Sequence, residues 1–109
     1  PTPLASFSCR YYRCQAAIMI TASHKPAAYN GYKVFWSDGG QILPPNDEGI
    51  MKEIEKITHP SQVNKSCNLI QEVWEENSSA YLDAMVSLKI LPIEKSPLHI
   101  VYTNLHGTG

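Results

Sequence analysis

A-A-I-M-I-T-A-S-H-K-P-A-A-Y-N-G-Y-K-V-F-W, residues 16–36, is the stretch whose reading decides the fold. Ala16 to Thr21 is apolar without alternation, the pattern of a strand covered on both faces, although a buried helix end gives the same run. We read it as a central strand. The stretch that follows, A-S-H-K-P-A-A-Y-N-G, mixes small, polar and turn-forming residues, with Pro26 stopping regular structure and Asn30-Gly31 suited to positive φ. It is a loop at a strand end. Tyr32 to Trp36 resumes an aromatic and β-branched pattern, and Asp38-Gly39-Gly40 turns the chain into Gln41 to Leu43. A hairpin therefore follows the loop.

Outward from this centre, helical spacing dominates. Thr2 is placed to cap a helix that accepts Pro3 in its first turn, with Leu4, Phe7 and Tyr11 on one face. After Pro44-Pro45, Asn46 or Asp47 caps a second helix whose stripe is Ile50, Met51, Ile54 and Ile57, stopped by His59-Pro60. Leu69, Ile70, Val73 and Trp74 fit either a short helix or an irregular strand. Ser78 or Ser79 opens a third helix with Tyr81, Leu82, Met85 and Leu88 on one face, ending before Pro92, and Leu98 to Thr103 is a further buried-strand candidate. Strands separated by helical stripes give an α/β fold, a mixed β-sheet layered with helices.

The chain has 109 residues, the length of one small domain with one core. Nine basic and ten acidic side chains leave a net charge of -1, so no overall field draws the chain to nucleic acid or to an anionic membrane. No apolar run reaches the roughly 20 residues of a membrane span. Cys9, Cys14 and Cys67 are odd in number and lack a C-x-x-C pair, which argues against a disulfide framework or closed zinc site and for a reducing, cytoplasmic setting. His59, His99 and His106 have no partner at zinc-ligand spacing and read as structural or solvated. Trp36 and Trp74 read as core or interface aromatics, since no basic patch accompanies them. A chain that starts P-T-P and finishes L-H-G-T-G reads as a piece of something longer.

Chemistry concentrates at T-A-S-H-K-P, Thr21 to Pro26, with Y-N-G-Y-K, Tyr29 to Lys33, directly after it. Ser23 lies in a loop at a strand tip and Lys33 at the base of the returning segment, so an out-and-back path brings the lysine toward the serine hydroxyl. Phosphoryl transfer needs such an arrangement: an exposed oxygen held in line, with cations and donors to balance the phosphate. Ser23 offers the oxygen, and His24, Lys25 and Lys33 offer compensating charge or donors for the roughly -1.5 to -2 charges of a phosphoserine. By spacing alone, the commoner role of Ser23 is a helix cap or loop serine, and His24 and Lys33 alone are more often solvated. A Ser-His hydrolase is disfavoured because neighbours on an extended loop point apart and no G-x-S-x-G turn is present.

T-A-S-H-K-P, then Y-N-G-Y-K-V, then D-G-G-Q-I, resembles the active-serine signature of the α-D-phosphohexomutases, usually T-A-S-H-N-P followed by N-G-x-K. The likeness also covers the P-T-P helix, the P-P-N-D helix start and the terminal Y-T-N-L-H-G-T-G, and so spans nearly the whole chain. It is stronger to the phosphoglucomutase and phosphomannomutase group, with its phosphopentomutase-like members, than to the glucosamine branch. The resemblance implies a partial catalytic-serine domain over residues 1–103, with 104–109 starting a linker to a second domain.

It also implies a mutase that interconverts hexose 1-phosphate and hexose 6-phosphate through a phosphoserine and a bisphosphate intermediate. On that pattern Ser23 carries the phosphoryl group and gives Mg²⁺ one phosphate oxygen, Lys33 matches the proposed general acid or base, and His24 positions the transferring group. Lys25 and Lys33 fall at substrate-binding positions, and glucose 1,6-bisphosphate is the implied activator. The implied partners are a sugar phosphate and the remaining domains of the same protein, with no nucleic acid or membrane. Two departures stand out: Lys25 replaces the usual asparagine, and Asn104 the frequent proline before L-H-G. No D-x-D-x-D metal loop lies between Pro1 and Gly109, and the sugar-reading and distal phosphate elements are absent too. The alternative is therefore a catalytically incomplete domain that binds partner domains or ligand without turnover.

Overall fold

A computed structural model describes residues 1–65, 68–90, 97 and 99–105. The chain opens with helix α1, Thr2–Tyr11, whose cap position is Pro1. Thr2 is thus already helical, one residue later than a capping role needs, and Pro3 sits in the first turn where its missing N–H costs nothing. The helix closes by a Schellman motif. Arg13 takes φ 52, and its N–H donates to Arg10 O at 3.1 Å while Cys14 N–H reaches back to Cys9 O at 2.8 Å. This turn aims the chain into β1.

Strands β1, Ala16–Ile20, and β2, Tyr32–Trp36, form an antiparallel pair in which Met19 faces Lys33 and Ile18 faces Val34. The ladder is the whole sheet among the described residues. Beyond Trp36 the chain turns through Gly39 and returns by a bridge between Phe35 and Gln41, which is the expected hairpin. α1 packs against both strands and against the third helix. The α/β layering read from the sequence is present.

The apolar run of β1 is not covered on both faces. Ala17 and Met19, which share a face with Lys33 and Phe35, are half-buried, whereas Ile18 and Ile20 are 67% and 70% exposed. Helix α2, Asn46–Glu55, lies near the open face through one contact, the Tyr32 hydroxyl donating to Met51 Sδ at 3.2 Å. Ile18, Ile20, Tyr32 and Ile54 line an apolar groove there. The expected stripe of α2 is present, but Met51, Ile54 and Ile57 stay exposed, and the helix cap is Pro45 instead of Asn46 or Asp47. His59 caps a short 3₁₀ turn, Pro60–Gln62, in a reciprocal capping box with Gln62.

Helix α3 spans Trp74–Ser87 and so begins four residues before Ser78. Its first turn carries Glu75 and Glu76, whose charge suits a helix N-terminus. Of the expected face, Leu82, Met85 and Leu88 are exposed, whereas Tyr81 reaches α1. Asn77, only 7% exposed, accepts from Ser8 Oγ at 2.9 Å, and Tyr81 meets Phe7 edge to face at 5.3 Å. Residues 99–103, with Ile100 82% and Val101 100% exposed, form no strand, while Leu98 lies outside the described residues. The core is correspondingly small: Leu4, Cys9, Val34 and Phe35 are its buried apolar residues among those described. Trp36 and Trp74 lie outside it, both exposed.

α1 and the hairpin turn meet closely. Ser6 Oγ donates to Gly39 O at 2.5 Å, and Cys9 Sγ donates to Trp36 O at 3.1 Å. A Cβ on Gly39 would lie 2.8 Å from Ser6 O, and its φ of +77 already excludes most side chains. Gly39→Ala is therefore expected to destabilise the chain by about 1–3 kcal/mol, read by urea unfolding.

Burial pushes the Cys9 thiol above its ordinary 9.0, helped by Cys14 and Asp38. Burial also pushes the Tyr12 phenol above 10.0; the Glu76 carboxylate adds to that rise without reaching hydrogen-bond geometry. In both cases the unfolded chain releases its proton first, so stability is full below about pH 9 and falls as pH rises through the folded values. The unfolding midpoint should begin to drop as pH rises past about 9 and keep falling beyond about 10, and Cys9→Ala should flatten the first part of that drop.

Candidate active site

Ser23 lies three residues beyond the end of β1, at the tip of the connection to β2. Thr21 N–H donates to Gly31 O at 2.9 Å and extends the ladder by one bond before the chain leaves the sheet. Lys25 N–H then donates to Ala22 O at 3.0 Å, closing a turn with Ser23 in second position. Ser23 adopts φ 55, the left-handed region where a non-glycine residue costs free energy. Thr21 holds it there, its Oγ1 accepting the Ser23 N–H at 3.0 Å. A second turn, Tyr29 N–H to Pro26 O at 2.9 Å, and an Asn30 side chain accepting from Gly31 N–H at 2.9 Å return the chain to β2.

The left-handed bend brings neighbours together that an extended loop would separate. Ser23 Oγ and His24 Nδ1 are 3.3 Å apart, both exposed. The expectation that these side chains diverge is thus corrected. A hydrolytic triad still lacks its third member, because no residue among those described bonds the other nitrogen of His24 to orient the ring.

Lys25 swings over the Tyr29 ring, with Nζ 5.9 Å from its centroid, a cation–π contact at the margin of the useful range. Lys33 is half-buried in β2, opposite Met19 and on the sheet face that also carries Thr21. Among the described residues it has no ion-pair partner and no hydrogen bond to Ser23. Its positive charge is uncommitted, at the ladder end from which the serine loop springs.

The loop from Thr21 to Lys33 therefore gathers an exposed serine hydroxyl, one imidazole and two ammonium groups, with no carboxylate in the segment. Such a set can accept and hold an anion. It does not form a metal cage: among the described residues no group of three or more His, Cys, Asp or Glu can hold an ion. No helix among those residues is long and apolar enough to cross a membrane. Thr21 is the site residue that sequence reasoning overlooked; a threonine two positions before a turn residue, where its hydroxyl caps the next N–H, was the available signal.

An α/β chain with an exposed serine on a left-handed bend between two antiparallel strands defines a class, and comparison with known proteins names it. Residues 1–61 match the family described as phosphoglucomutase/phosphomannomutase, alpha/beta/alpha domain I. The chain is 37% identical over 121 residues to a probable phosphoribomutase of Schizosaccharomyces pombe, covering 99% of this chain and 20% of the relative. Identity is 39% over 116 residues to a phosphoglucomutase of Staphylococcus haemolyticus, with 99% and 21% covered, and 35% over 117 residues to a human phosphopentomutase, with 100% and 19% covered. This chain belongs to the phosphoglucomutase/phosphomannomutase family. It spans about a fifth of the length of these relatives.

Removing the Thr21 hydroxyl should free Ser23 from its bent conformation. Thr21→Val is expected to speed amide hydrogen exchange at Ser23 about 2- to 10-fold, the equivalent of one lost hydrogen bond, whereas Thr21→Ser keeps the wild-type rate. Hydrogen exchange followed over time by NMR reads the difference.

Proposed function

We propose that this chain carries the phosphoryl-acceptor loop of a phosphosugar mutase, with Ser23 as the acceptor, acting on hexose 1- and 6-phosphates in the cytoplasm. The observation that carries the reading is the exposed Ser23 hydroxyl, held on a strained turn by Thr21 with His24 Nδ1 3.3 Å from its Oγ, in a segment that also carries Lys25 and Lys33. In the transfer step, the bond from phosphorus to a sugar oxygen breaks and a bond from phosphorus to Ser23 Oγ forms. The hydroxyl proton leaves for the sugar oxygen, with Lys33 as the group that relays it. In the opposite direction phosphorylated Ser23 gives its phosphoryl group to the free hydroxyl of a sugar monophosphate, which makes the bisphosphate; Ser23 then takes one back from the bisphosphate's other end, and the net result is isomerisation.

His24 contributes a donor beside Oγ. Lys25 and Lys33 offset the two negative charges that a phosphoserine brings nearest to neutral pH. For Mg²⁺, this chain fits the part of a single ligand, a phosphate oxygen on Ser23, because the loop holds no carboxylate. Such an ion, when bound, neutralises charge on the transferring phosphoryl group. Residues 1–103 act as the serine domain and 104–109 begin the connection to a second one; 106–109 lie outside the described residues.

A second reading has its own support. The open β1 face, with Ile18 and Ile20 at 67% and 70% exposure, suits a chain that docks partner domains without turning over sugar.

Incubating the protein with glucose 1,6-bisphosphate and mapping phosphopeptides is expected to place phosphate on Ser23, and Ser23→Ala should lower mutase turnover at least about 10³-fold. An unphosphorylated Ser23 with undiminished activity in the alanine variant would sink the proposal. The 109-residue chain alone is expected to take up phosphate without sustained turnover; steady turnover would remove the need for further domains.

A further inference from the structure

Two cysteines meet at the end of α1, away from the serine loop. Cys9 is the third residue before the helix cap and Cys14 the second after it, the two positions whose side chains touch in a Schellman motif. Cys14 N–H donates to Cys9 O at 2.8 Å. With that hydrogen bond in place, the covalent bonds on either side cap the Cα separation at about 6.7 Å, inside the ~4.4–6.8 Å span of disulfides. Cys9 Sγ already points this way, 3.9 Å from Cys14 O. Both thiols are free, Cys9 1% exposed and Cys14 half-buried.

We propose that Cys9 and Cys14 are an oxidation site that closes to an intramolecular disulfide when the protein meets a peroxide. The more accessible Cys14 sulfur attacks the peroxide, the O–O bond breaks, and Cys14 becomes a sulfenic acid with release of water. The Cys9 sulfur then attacks Cys14 sulfur. The S–S bond forms, the S–O bond breaks, and hydroxide leaves with the Cys9 proton as a second water. Both sulfurs are oxidised and the peroxide is reduced.

The backbone suffers little. Trp36 O loses the Cys9 thiol as donor but keeps the N–H of Gly39 at 2.9 Å. A single bond of this kind is distinct from the multi-bridge framework that the cysteine count argues against, and transient disulfides of this sort belong to reducing compartments. Cys14 sits two residues before β1, so the bond would form at the root of the strand that ends in the Ser23 loop.

Peptide mapping of the folded chain after hydrogen peroxide and alkylation tests this. Trypsin cuts after Arg10 and Arg13, so the bond should appear as peptide 1–10 joined to the peptide that starts at Cys14, in wild type and in Cys67→Ser alike. In Cys14→Ser, loss of the Cys9 thiol is expected to be about tenfold slower or more, because the buried sulfur has lost its accessible relay. Three results overturn the proposal: links that run to Cys67 or to a second chain, a free Cys9 beside an over-oxidised Cys14, or Cys9 oxidised as fast in Cys14→Ser as in wild type. If Cys9→Ala folds, Cys14 sulfenic acid should accumulate in it and be trapped by a dione reagent; a Cys14 that stays fully reduced there also refutes the scheme.

Discussion

The contact of α1 with the hairpin turn is the constraint on which the rest depends. A helix backbone can approach a turn this closely only when the turn residue has no Cβ, and Gly39 supplies that. The Ser6 hydroxyl and the Cys9 thiol then bond to carbonyls on the two sides of the turn. With the far end of β2 fastened, the pairing of Met19 with Lys33 fixes which residues emerge at the opposite end of the sheet. A one-residue slip would move every side chain of β2 to the other face and take Lys33 from the side of Thr21.

From that fastening the serine loop follows by short-range bonds alone. Two turns and two side-chain caps, from Thr21 and Asn30, carry the chain from Ile20 back to Tyr32. None of these bonds reaches into the core. Four short-range hydrogen bonds set the path of the loop, while its residues include the exposed hydroxyl, the imidazole and the ammonium groups. A path fixed locally and an exposed hydroxyl together suit a group that must hold one orientation.

The two strands, the loop between them and the hairpin after it were legible in residues 16–43, because apolar runs and Asn-Gly and Asp-Gly-Gly signals have direct backbone meanings. Ser23, His24 and Lys33 could be picked out by residue type and by likeness to a known motif. The left-handed bend at Ser23 was not legible, since serine seldom takes positive φ and nothing in its neighbours but Thr21 marks it. Burial was the larger misreading. The run A-A-I-M-I suggests two covered faces, yet α1 covers one, and apolarity alone does not say whether a cover is present. Docking of α3 was legible only in Tyr81: its other anchor is a polar pair, Ser8 with Asn77, separated by 69 positions and without any periodic signature.

The one-sided pairing of β1 has a consequence for the chain in concentrated solution. Among the described residues its second edge has no strand beside it. That edge offers a row of backbone donors and acceptors along five uncharged residues with neither proline nor glycine. Segments of this composition template further strands, and proteins normally blunt them with charge or a bulge. Among the described residues neither guard exists, so a crowded ribosome or a concentrated lysate would present this strand with copies of itself.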